Sequence, residues 1–271
     1  MSTVWITGAS SGLGKYTAQA LVSAGFRVIS GARSFSQSEG ESDIGYRLPL
    51  DVTSAESMDA FCEKAYALSG IPDALVLCAG ILCLGCCEGY GSDEIRRVMD
   101  TDFFGQTEMI SRVLPMMRKR GTGRIVCYSS VNGVLSTPFQ GAYSAAKHAL
   151  EGYAEALKAE CAPFGIQVML VEPGDHRGGS FAYRAVSRGT GEDSPYRASF
   201  DRVRSVIERD EGGGSDPAEL GRKVARMLKR KRLPFRIMIG SFDQRLSVIL
   251  HSVLPGNLFS RVISAYYHVK K

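Results

Sequence analysis

Short apolar runs alternate along the chain with stretches whose apolar residues have helical spacing. The apolar runs predicted to be strands are Val4–Thr7, Arg27–Gly31, Tyr46–Leu50, Ala74–Cys78, Arg124–Tyr128, Ile166–Val171 and Phe235–Ile239. The stretches predicted to be helices are Leu13–Ala24, Ala55–Leu68, Asp93–Lys119, Ala142–Ala162, Pro217–Lys229, Phe242–Leu254 and Leu258–Tyr267. Strands and helices that alternate in this way form a parallel sheet covered by its crossover helices. The pattern therefore predicts an α/β fold, a doubly wound parallel sheet with helices on both faces.

One internal region and the chain end depart from this pattern. The region Gly178–Gly214 is rich in Gly, Ser, Arg and acidic residues and has little periodicity, so we predict a long, mobile substrate loop there. The C-terminal segment 240–271 is apolar at helical spacing, which fits either packing in the core or a dimer, or contact with a substrate. We expect residues 1–271 to form one domain, because 271 residues is an ordinary size for a doubly wound sheet.

Composition and charge narrow the class of protein. Apolar residues make up 44% of the chain, and 33 Lys and Arg stand against 28 Asp and Glu. The resulting charge of +5 is small and scattered, so we expect no nucleic-acid partner. The seven cysteines are an odd number, several fall inside predicted elements, and the first strand starts almost at the N-terminus. We therefore expect a reduced, cytoplasmic protein without a disulfide framework, a targeting peptide or a transmembrane segment.

A glycine-rich turn joins the first predicted strand to the first predicted helix. Glycines let the backbone turn tightly and approach a pyrophosphate, and the helix N-terminus offers free N–H groups and the positive end of its dipole. We interpret the turn as a dinucleotide phosphate site, although a plain strand-to-helix turn can have the same glycines. Its sequence is T-G-A-S-S-G-L-G, and the candidate cofactor-binding residues are Thr7, Gly8, Ser10, Ser11, Gly12, Leu13 and Gly14.

The end of the second predicted strand bears on the choice of cofactor. NAD sites carry an acidic residue at this position, which hydrogen-bonds the ribose hydroxyls, whereas NADP sites use Arg for the 2′-phosphate. Gly31-Ala32-Arg33 contains no acid and supplies an Arg, whose guanidinium can hold a phosphate with two N–H groups. The sequence therefore predicts NADP(H) as the cofactor. A solvated surface Arg is the alternative interpretation.

Tyr143 and Lys147 lie four residues apart in a predicted helix, so their side chains share one face. A Tyr with its usual pKa of about 10 is a poor base at neutral pH, and a nearby ammonium lowers that pKa. Such a Tyr can exchange a proton with a carbonyl or alcohol oxygen. Ser130 ends the strand before this helix, where its hydroxyl could hold a substrate oxygen or cap the next turn.

In their order and spacing, these motifs resemble the single-domain short-chain dehydrogenase/reductase family over at least residues 1–180. The resemblance implies a Rossmann-type fold and hydride transfer between NADP(H) and a carbonyl or secondary alcohol. It also implies that Ser130 polarises the substrate, that Tyr143 is the acid/base, and that Lys147 lowers the Tyr pKa and binds the nicotinamide ribose. By the same resemblance, other strand ends supply further cofactor contacts: Asp51, Val52, Ala79, Gly80, Pro173 and Gly174.

Three positions depart from the pattern of this family. Cys78 stands where the family usually has Asn before Ala-Gly, so a polar structural anchor is replaced. Asp102 stands where the fourth catalytic residue of the family is Asn, and we retain it as a candidate catalytic residue. Its charge could pair with Lys147 and weaken the effect of that ammonium on the catalytic Tyr. The Thr often found after Pro-Gly is absent, with Gly178 in its position and Ser180 as a candidate substitute.

The substrate prediction depends on the loop and the chain end. Phe181, Tyr183, Tyr196 and Phe200 lie among polar residues soon after Pro-Gly, as expected for a lid over an apolar pocket. The same aromatic residues could instead pack on the core. The apolar tail is similar to that of hydroxysteroid and retinol dehydrogenases. We therefore expect a bulky, apolar small-molecule substrate of steroid, retinoid or lipid type, a homodimer or homotetramer, and a surface compatible with peripheral membrane contact.

Other residues carry weaker signals. Cys83, Cys86 and Cys87 lack a second ligand pair and a nearby His, so we expect a plain loop and no metal site. His176 could face the substrate or be an ordinary core or solvated His. The basic run 229–232 is interpreted as a solvated helix end. Two other functions stay open: a non-catalytic NADP(H)-binding sensor or scaffold, and a sugar-nucleotide epimerase, which the chain length and glycine spacing oppose.

Overall fold

The computed structural model describes residues 1–178 and 184–269. Its strands are β1 (Thr3–Thr7), β2 (Arg27–Ala32), β3 (Tyr46–Pro49), β4 (Ala74–Leu77), β5 (Cys83–Leu84), β6 (Gly123–Tyr128), β7 (Ile166–Pro173), β8 (Ala185–Val186) and β9 (Arg236–Ile239). A seven-stranded parallel sheet has the order β3-β2-β1-β4-β6-β7-β9, and β5 pairs with β8 beside it. The sheet order reverses between β1 and β4, which is where doubly wound folds open a crevice for ligands.

The helices connect these strands. They are α1 (Gly12–Ser23), α2 (Ala55–Ser69), α3 (Ser92–Met99), α4 (Gly105–Arg120), α5 (Gly141–Cys161), α6 (Arg197–Gly212), α7 (Pro217–Leu228), α8 (Phe242–Val253) and α9 (Gly256–Tyr266). The predicted strands and most predicted helices lie within a few residues of these bounds, because their apolar spacing is strong and local. No helix among the described residues has the length and apolar character needed to cross a membrane.

Two apolar cores cover the two faces of the sheet. Along β1, Trp5 faces the core that includes α2, α4 and α5, whereas Val4 and Ile6 face the core that includes α1 and α7. Trp5 is fully buried and packs edge-to-face on Phe61 of α2, with ring centroids 5.9 Å apart. Because both faces of a parallel strand are buried, such strands contain near-continuous apolar runs, as Val4-Trp5-Ile6 in β1. The predicted α/β fold, doubly wound with helices on both faces, is confirmed.

The prediction of a mobile loop over 178–214 is wrong for its second half. Residues 197–212 form α6, and Phe200, Val203 and Ile207 of this helix are buried in a small core of their own. Phe200 packs on Phe139 with ring centroids 5.5 Å apart, so it belongs to a core and not to a lid. Arg and acidic residues separate these apolar positions. The composition of the region therefore suggested a polar loop, although its apolar residues have helical spacing.

The first half of the same region is only partly described. Tyr196 is exposed and its hydroxyl donates to Glu88 Oε2 at 2.6 Å, which ties the start of α6 to the loop after β5. The candidates Ser180, Phe181 and Tyr183 lie outside the described residues.

The predicted helix Asp93–Lys119 is interrupted. Between α3 and α4, Asp100–Phe104 form a π-helical turn with a wider backbone path. Such single π turns bulge a helix locally and re-aim one side chain. Here the turn contains Asp102, which is fully buried and directed at the sheet.

Helices α8 and α9 form the last layer of the described chain. Phe259, the one buried residue of α9, packs with Val131 and Leu135 in the segment after β6. Several apolar side chains of α8, in contrast, are exposed to solvent, including Phe242 at 81% and Val253 at 67% exposure. The C-terminal segment thus contributes to a small core and also keeps apolar surface free.

Candidate active site

The carboxyl ends of the parallel strands border an open cleft of about 650 Å³. Parallel strands direct their carboxyl ends to one edge of the sheet, so side chains that are distant in sequence meet there. Nearly all of the predicted site residues line this cleft: Gly8, Ser10, Ser11, Leu13, Gly14, Arg33, Asp51, Val52, Ala79, Gly80, Asp102, Ser130, Tyr143, Lys147, Pro173 and Gly174. The structure therefore brings the two halves of the predicted site together in one space.

The two predicted residues that do not line the cleft shape it from behind. Thr7 is buried, and its Oγ1 accepts the N–H groups of Cys78 and Ala79 at 3.2 Å, which joins the ends of β1 and β4. Gly12 begins α1 with a φ of +52°, a conformation that favours glycine. Both residues hold the glycine turn in shape.

Gly8 shows that the turn is built for close approach. Its φ is +70°, and a Cβ added there would lie 2.7 Å from the backbone nitrogen of Ala79. A Cβ on Gly14 would collide with the Gly8 carbonyl. Side chains at these positions would push the turn, the start of α1 and the segment after β4 apart. The turn thus fits a pyrophosphate held by backbone N–H groups.

Arg33 and Asp51 border the part of the cleft beside β2 and β3. Arg33 follows β2 directly, is exposed, and makes no hydrogen bond or ion pair within the described parts of the chain. Asp51 Oδ1 accepts the N–H and the hydroxyl of Thr53 at 2.9 and 2.7 Å, which closes the turn after β3. With Ala32 as the last residue of β2, no carboxylate occupies the position where an acid would contact the ribose.

Tyr143, Lys147 and Ser130 converge at the opposite part of the cleft. Lys147 Nζ lies 5.5 Å from the Tyr143 ring centroid, as expected for residues one turn apart on α5. Ser130 Oγ accepts the N–H of Asn132 at 3.1 Å and donates to the Pro173 carbonyl at 3.4 Å. Burial raises the pKa of Tyr143, and the Lys147 ammonium and the Ser130 hydroxyl offset only part of that rise. Tyr143 is therefore a protonated phenol at neutral pH.

Asp102 forms a buried ion pair with Lys147. Its Oδ2 lies 3.1 Å from Lys147 Nζ, its Oδ1 accepts the N–H of Ile81 at 2.8 Å, and Lys147 Nζ also donates to the Tyr128 carbonyl at 3.0 Å. Burial raises the pKa of Asp102, and Lys147 offsets part of this. Burial also lowers the pKa of Lys147, but Asp102 and Tyr143 outweigh it and leave that pKa raised. The contact anticipated from the sequence is present, and the carboxylate opposes the effect of Lys147 on Tyr143.

Sequence reasoning missed the residues that hold the Ser130 segment. Asn132 is buried, and its Nδ2 donates to Thr137 Oγ1 at 3.0 Å and to Gln140 Oε1 at 2.8 Å. This network links the end of β6 to the start of α5, and so fixes Ser130 relative to Tyr143. Polar residues at short spacing in a loop region were the available signal, but such residues occur in most loops.

A second group that was missed lies where the cleft meets α8. Asp175 follows Pro173-Gly174, and Gln244 Nε2 of α8 donates to its Oδ2 at 2.5 Å. His176, left open by the sequence, is buried with its Nδ1 2.8 Å from the Gly174 carbonyl. Both residues line the cleft, together with apolar side chains of α8 and α9. The C-terminal segment therefore borders the site.

The described residues contain no group of three His, Cys, Asp or Glu side chains that could hold a metal ion. Cys83 lies in the short strand β5, which pairs with β8, and Cys86 Sγ lies 3.7 Å from the Gly189 carbonyl. The cysteine-rich segment is thus part of a small ordered layer over α5.

Comparison with known proteins assigns the family. The family described as short chain dehydrogenase matches residues 2–182 of this chain. The chain belongs to the short-chain dehydrogenase family. As a short-chain dehydrogenase it is an oxidoreductase that uses a nicotinamide cofactor, and the resemblance inferred from the motifs is confirmed. Its similarity to individual proteins extends beyond the matched residues into the C-terminal segment.

Two curated relatives span almost the whole chain. The chain is 39% identical over 267 residues to a Bacteroides thetaiotaomicron protein named 3-ketodihydrosphingosine reductase, and 98% of each chain is covered. It is 30% identical over 275 residues to dehydrogenase/reductase SDR family member 7B of Xenopus tropicalis, with 96% of this chain and 84% of that protein covered.

Solved structures agree with the fold. A short-chain dehydrogenase from Streptomyces avermitilis is 32% identical with a TM-score of 0.81, covering 99% of this chain and 97% of that chain. An alcohol dehydrogenase from the archaeon Thermococcus sibiricus, solved with 5-hydroxy-NADP, shares the fold at 22% identity and a TM-score of 0.71, covering 89% and 97% of the two chains.

Proposed function

We propose that this short-chain dehydrogenase uses NADPH to reduce the ketone of a long-chain lipid. The observation that carries the proposal is a single cleft with the glycine turn at one end, Tyr143, Lys147 and Ser130 in the middle, and apolar helices at the other end. The similarity over 98% of both chains to a protein named for reduction of 3-ketodihydrosphingosine supports a lipid ketone as the substrate.

The residues of the cleft have complementary roles in this reaction. The bound cofactor supplies the hydride. Ser130 Oγ turns its single proton from the Pro173 carbonyl, a contact of 3.4 Å, to the ketone oxygen and so stabilises the charge that develops there. Tyr143, protonated at neutral pH because burial raises its pKa, then gives its proton to that oxygen. The ammonium of Lys147 stabilises the phenolate that is left. A phenol that is protonated at neutral pH is in the form that reduction of a ketone requires.

Asp102 tunes this proton transfer. Because its carboxylate lies against Lys147, it neutralises part of the positive field at Tyr143 and holds the pKa of the phenol higher. We propose that this arrangement keeps Tyr143 a proton donor, which suits a reductase. Lys147 remains an ammonium, since Asp102 and Tyr143 keep its pKa raised against the effect of burial.

The preference for NADPH over NADH rests on the end of β2. Arg33 is exposed at the cleft, has no competing partner within the described residues, and can hold a 2′-phosphate with two N–H groups. Ala32 offers no carboxylate to repel that phosphate. A charged hydrogen bond of this kind contributes about 1.5–3 kcal/mol, which corresponds to roughly tenfold to hundredfold in affinity.

The apolar end of the cleft fits a hydrocarbon chain. Leu246 and Leu250 of α8 and Val262 and Ile263 of α9 line it. Each buried methylene contributes about 0.8 kcal/mol, so even a partly buried long chain adds much of the binding energy. The steroid or retinoid substrates expected from the sequence would contact the same apolar wall. The similarity to a protein named 3-ketodihydrosphingosine reductase favours a linear lipid instead.

The test compares cofactors and substrates in one assay. NADPH and NADH consumption would be followed with 3-ketodihydrosphingosine and with a short ketone, for the wild type, Arg33→Ala and the matched control Arg27→Ala. Arg27 is exposed at the opposite end of β2. We expect NADPH and the long ketone to be preferred, and the NADPH preference to fall at least tenfold in Arg33→Ala only.

Three results would contradict the proposal. Equal efficiency with NADH and NADPH in the wild type would refute the role of Arg33. Faster reduction of short polar ketones than of every long-chain ketone would refute the lipid substrate. Tight NADPH binding without turnover of any ketone would support the sensor alternative.

A further inference from the structure

The cleft has an acidic end beside Tyr143. Four carboxylates line it: Asp175 after β7, Asp210 and Glu211 at the end of α6, and Asp243 in the first turn of α8. These residues come from three separate elements, so their meeting is a product of the fold. The proposed reduction step uses none of these four carboxylates.

Asp175 is the member of this group that faces the reacting centre. Asp175 is half-buried, and its carboxylate raises the pKa of Tyr143, so it lies within electrostatic reach of the catalytic phenol. Burial and the neighbouring carboxylates of Glu211, Asp210 and Asp243 raise the pKa of Asp175 itself to about 7, and Arg184 only partly offsets this.

Two of the other carboxylates in the group, Asp210 and Glu211, have cationic partners within the protein. Asp210 contacts Arg209 and accepts the hydroxyl of Tyr266 at 2.8 Å, and Arg184 contacts Glu211. For Asp175, the described parts of the chain provide the Gln244 amide as a hydrogen-bond partner and no ion pair. When Asp175 is ionised, its carboxylate is therefore a negative charge at the lining of the cleft that no ion pair among the described residues neutralises.

His176 provides a second, independent sign of a ligand. It is 3% exposed, and its Nε2 has no hydrogen-bond partner among the described residues. Because Nδ1 lies 2.8 Å from the Gly174 carbonyl, Nδ1 carries the proton and Nε2 presents a lone pair. Burial lowers the pKa of His176, which keeps the ring neutral. A buried acceptor without a donor is costly unless a ligand supplies one.

These groups have a common chemistry. A carboxylate and a neutral imidazole nitrogen both accept hydrogen bonds, so the ligand group that fits between them must donate. Phosphate, carboxylate and sulfate groups donate nothing and would be repelled by the four acids. A protonated amine carries both the donors and the positive charge. The apolar side chains Leu246 and Leu250 continue from Gln244 along α8, where an aliphatic chain would lie.

We propose that this end of the cleft binds the protonated amine of a long-chain amino ketone, with Asp175 contacting the ammonium and His176 Nε2 accepting a hydrogen bond from the amine or an adjacent hydroxyl. This inference rests on the proposed ketone reduction and narrows its substrate class. Asp175 acts as a specificity-determining residue, because it contacts the part of the substrate that does not react.

The experiment measures the ratio of kcat/KM for two substrates of the same variant, because a general loss of activity lowers both values and cancels in the ratio. The kcat/KM for a long-chain 2-amino-3-ketone is divided by that for the 3-ketone of equal length without the amine, for wild type, Asp175→Asn and the control Asp193→Asn. Asp193 is exposed and does not line the cleft. We expect the wild type and the control to prefer the amine, and the ratio to fall at least tenfold in Asp175→Asn.

A binding measurement keeps the inference testable without turnover. With NADP⁺ present, dodecylamine should bind the wild type more tightly than dodecanol, and Asp175→Asn should lose this preference while NADP⁺ binding is retained. If the wild type reduces both ketones equally and the ratio is unchanged in Asp175→Asn, the amine site is refuted and ketone reduction stands. If neither ketone is reduced, the proposed function fails, and the preference for dodecylamine alone decides the amine site.

Discussion

Replacing Glu172 with Gln is expected to make the protein more stable above neutral pH and to change little near pH 4.5. Glu172 is the second-last residue of β7, just before Pro173, and its side chain is 6% exposed. Its Oε1 lies 3.1 Å from Arg236 Nε, and Arg236 also contacts the buried Glu151 at 3.1 Å. One guanidinium thus serves two buried carboxylates. Burial and the charge of Glu151 raise the pKa of Glu172 from 4.5 to about 7.

The sign of the effect follows from this direction. A folded-state pKa above the unfolded value means that the folded protein holds the proton more tightly. The stability that this contributes is present below pH 4.5 and is lost as the pH rises to about 7. At about 1.4 kcal/mol for each pKa unit, the loss is about 3 kcal/mol. Arg236 is 38% exposed, so solvent screens the site and we expect about 2 kcal/mol. Gln does not titrate and avoids this loss.

The assay is urea unfolding at a series of pH values from about 4.5 to about 8.5, with the free energy of unfolding compared between variants. Glu155→Gln is the matched control, because Glu155 contacts the same guanidinium at 2.6 Å with a side chain that is 59% exposed. We expect the control to differ from the wild type by less than about 1 kcal/mol at every pH. A constant difference between Glu172→Gln and the wild type across this range would refute the reasoning, as would a difference that grows toward acidic pH.

Two further predictions concern the reaction. Tyr143→Phe is expected to abolish ketone reduction and keep NADPH binding, measured by calorimetry, because only the proton donor is lost; turnover by this variant with any good substrate would disprove the role of Tyr143. Asp102→Asn is expected to keep or raise turnover and to move the basic limb of the pH–rate profile to lower pH, because the carboxylate that opposes Lys147 is removed. If the Asn variant is inactive, Asp102 takes part in proton transfer itself.

Asp102 stands where the family has Asn as its fourth catalytic residue, and the fold around this position is kept. Asp102 lies in the π turn Asp100–Phe104, which directs its side chain to the Ile81 N–H and Lys147. The two oxygens of the carboxylate contact these two groups separately. The usual Asn has only one acceptor oxygen in its side chain. The difference is charge, and its effect falls on the pKa of Tyr143.

The amino-acid sequence by itself determined the features that depend on local spacing. The alternation of apolar runs and helical stretches specified the doubly wound sheet, because period and length are properties of neighbouring residues. The glycine turn from Thr7 to Gly14 and the Tyr143–Lys147 pair were evident for the same reason, since each lies within one turn of backbone. Helix α6 escaped this reasoning because its apolar positions are diluted by charged residues.

Only the tertiary structure decided how distant groups act on each other. The sheet order puts the end of β7 beside α6 and α8, and so assembles Asp175, Glu211 and Gln244 at one end of the cleft. The same order brings Arg236 of β9 to the buried carboxylate of Glu172. Electrostatic effects depend on distance and on exclusion of water, and both are set by packing between elements rather than by position along the chain. For that reason the sequence could indicate an oxidoreductase with a nicotinamide cofactor, but the acidic end of the cleft became visible only in the folded chain.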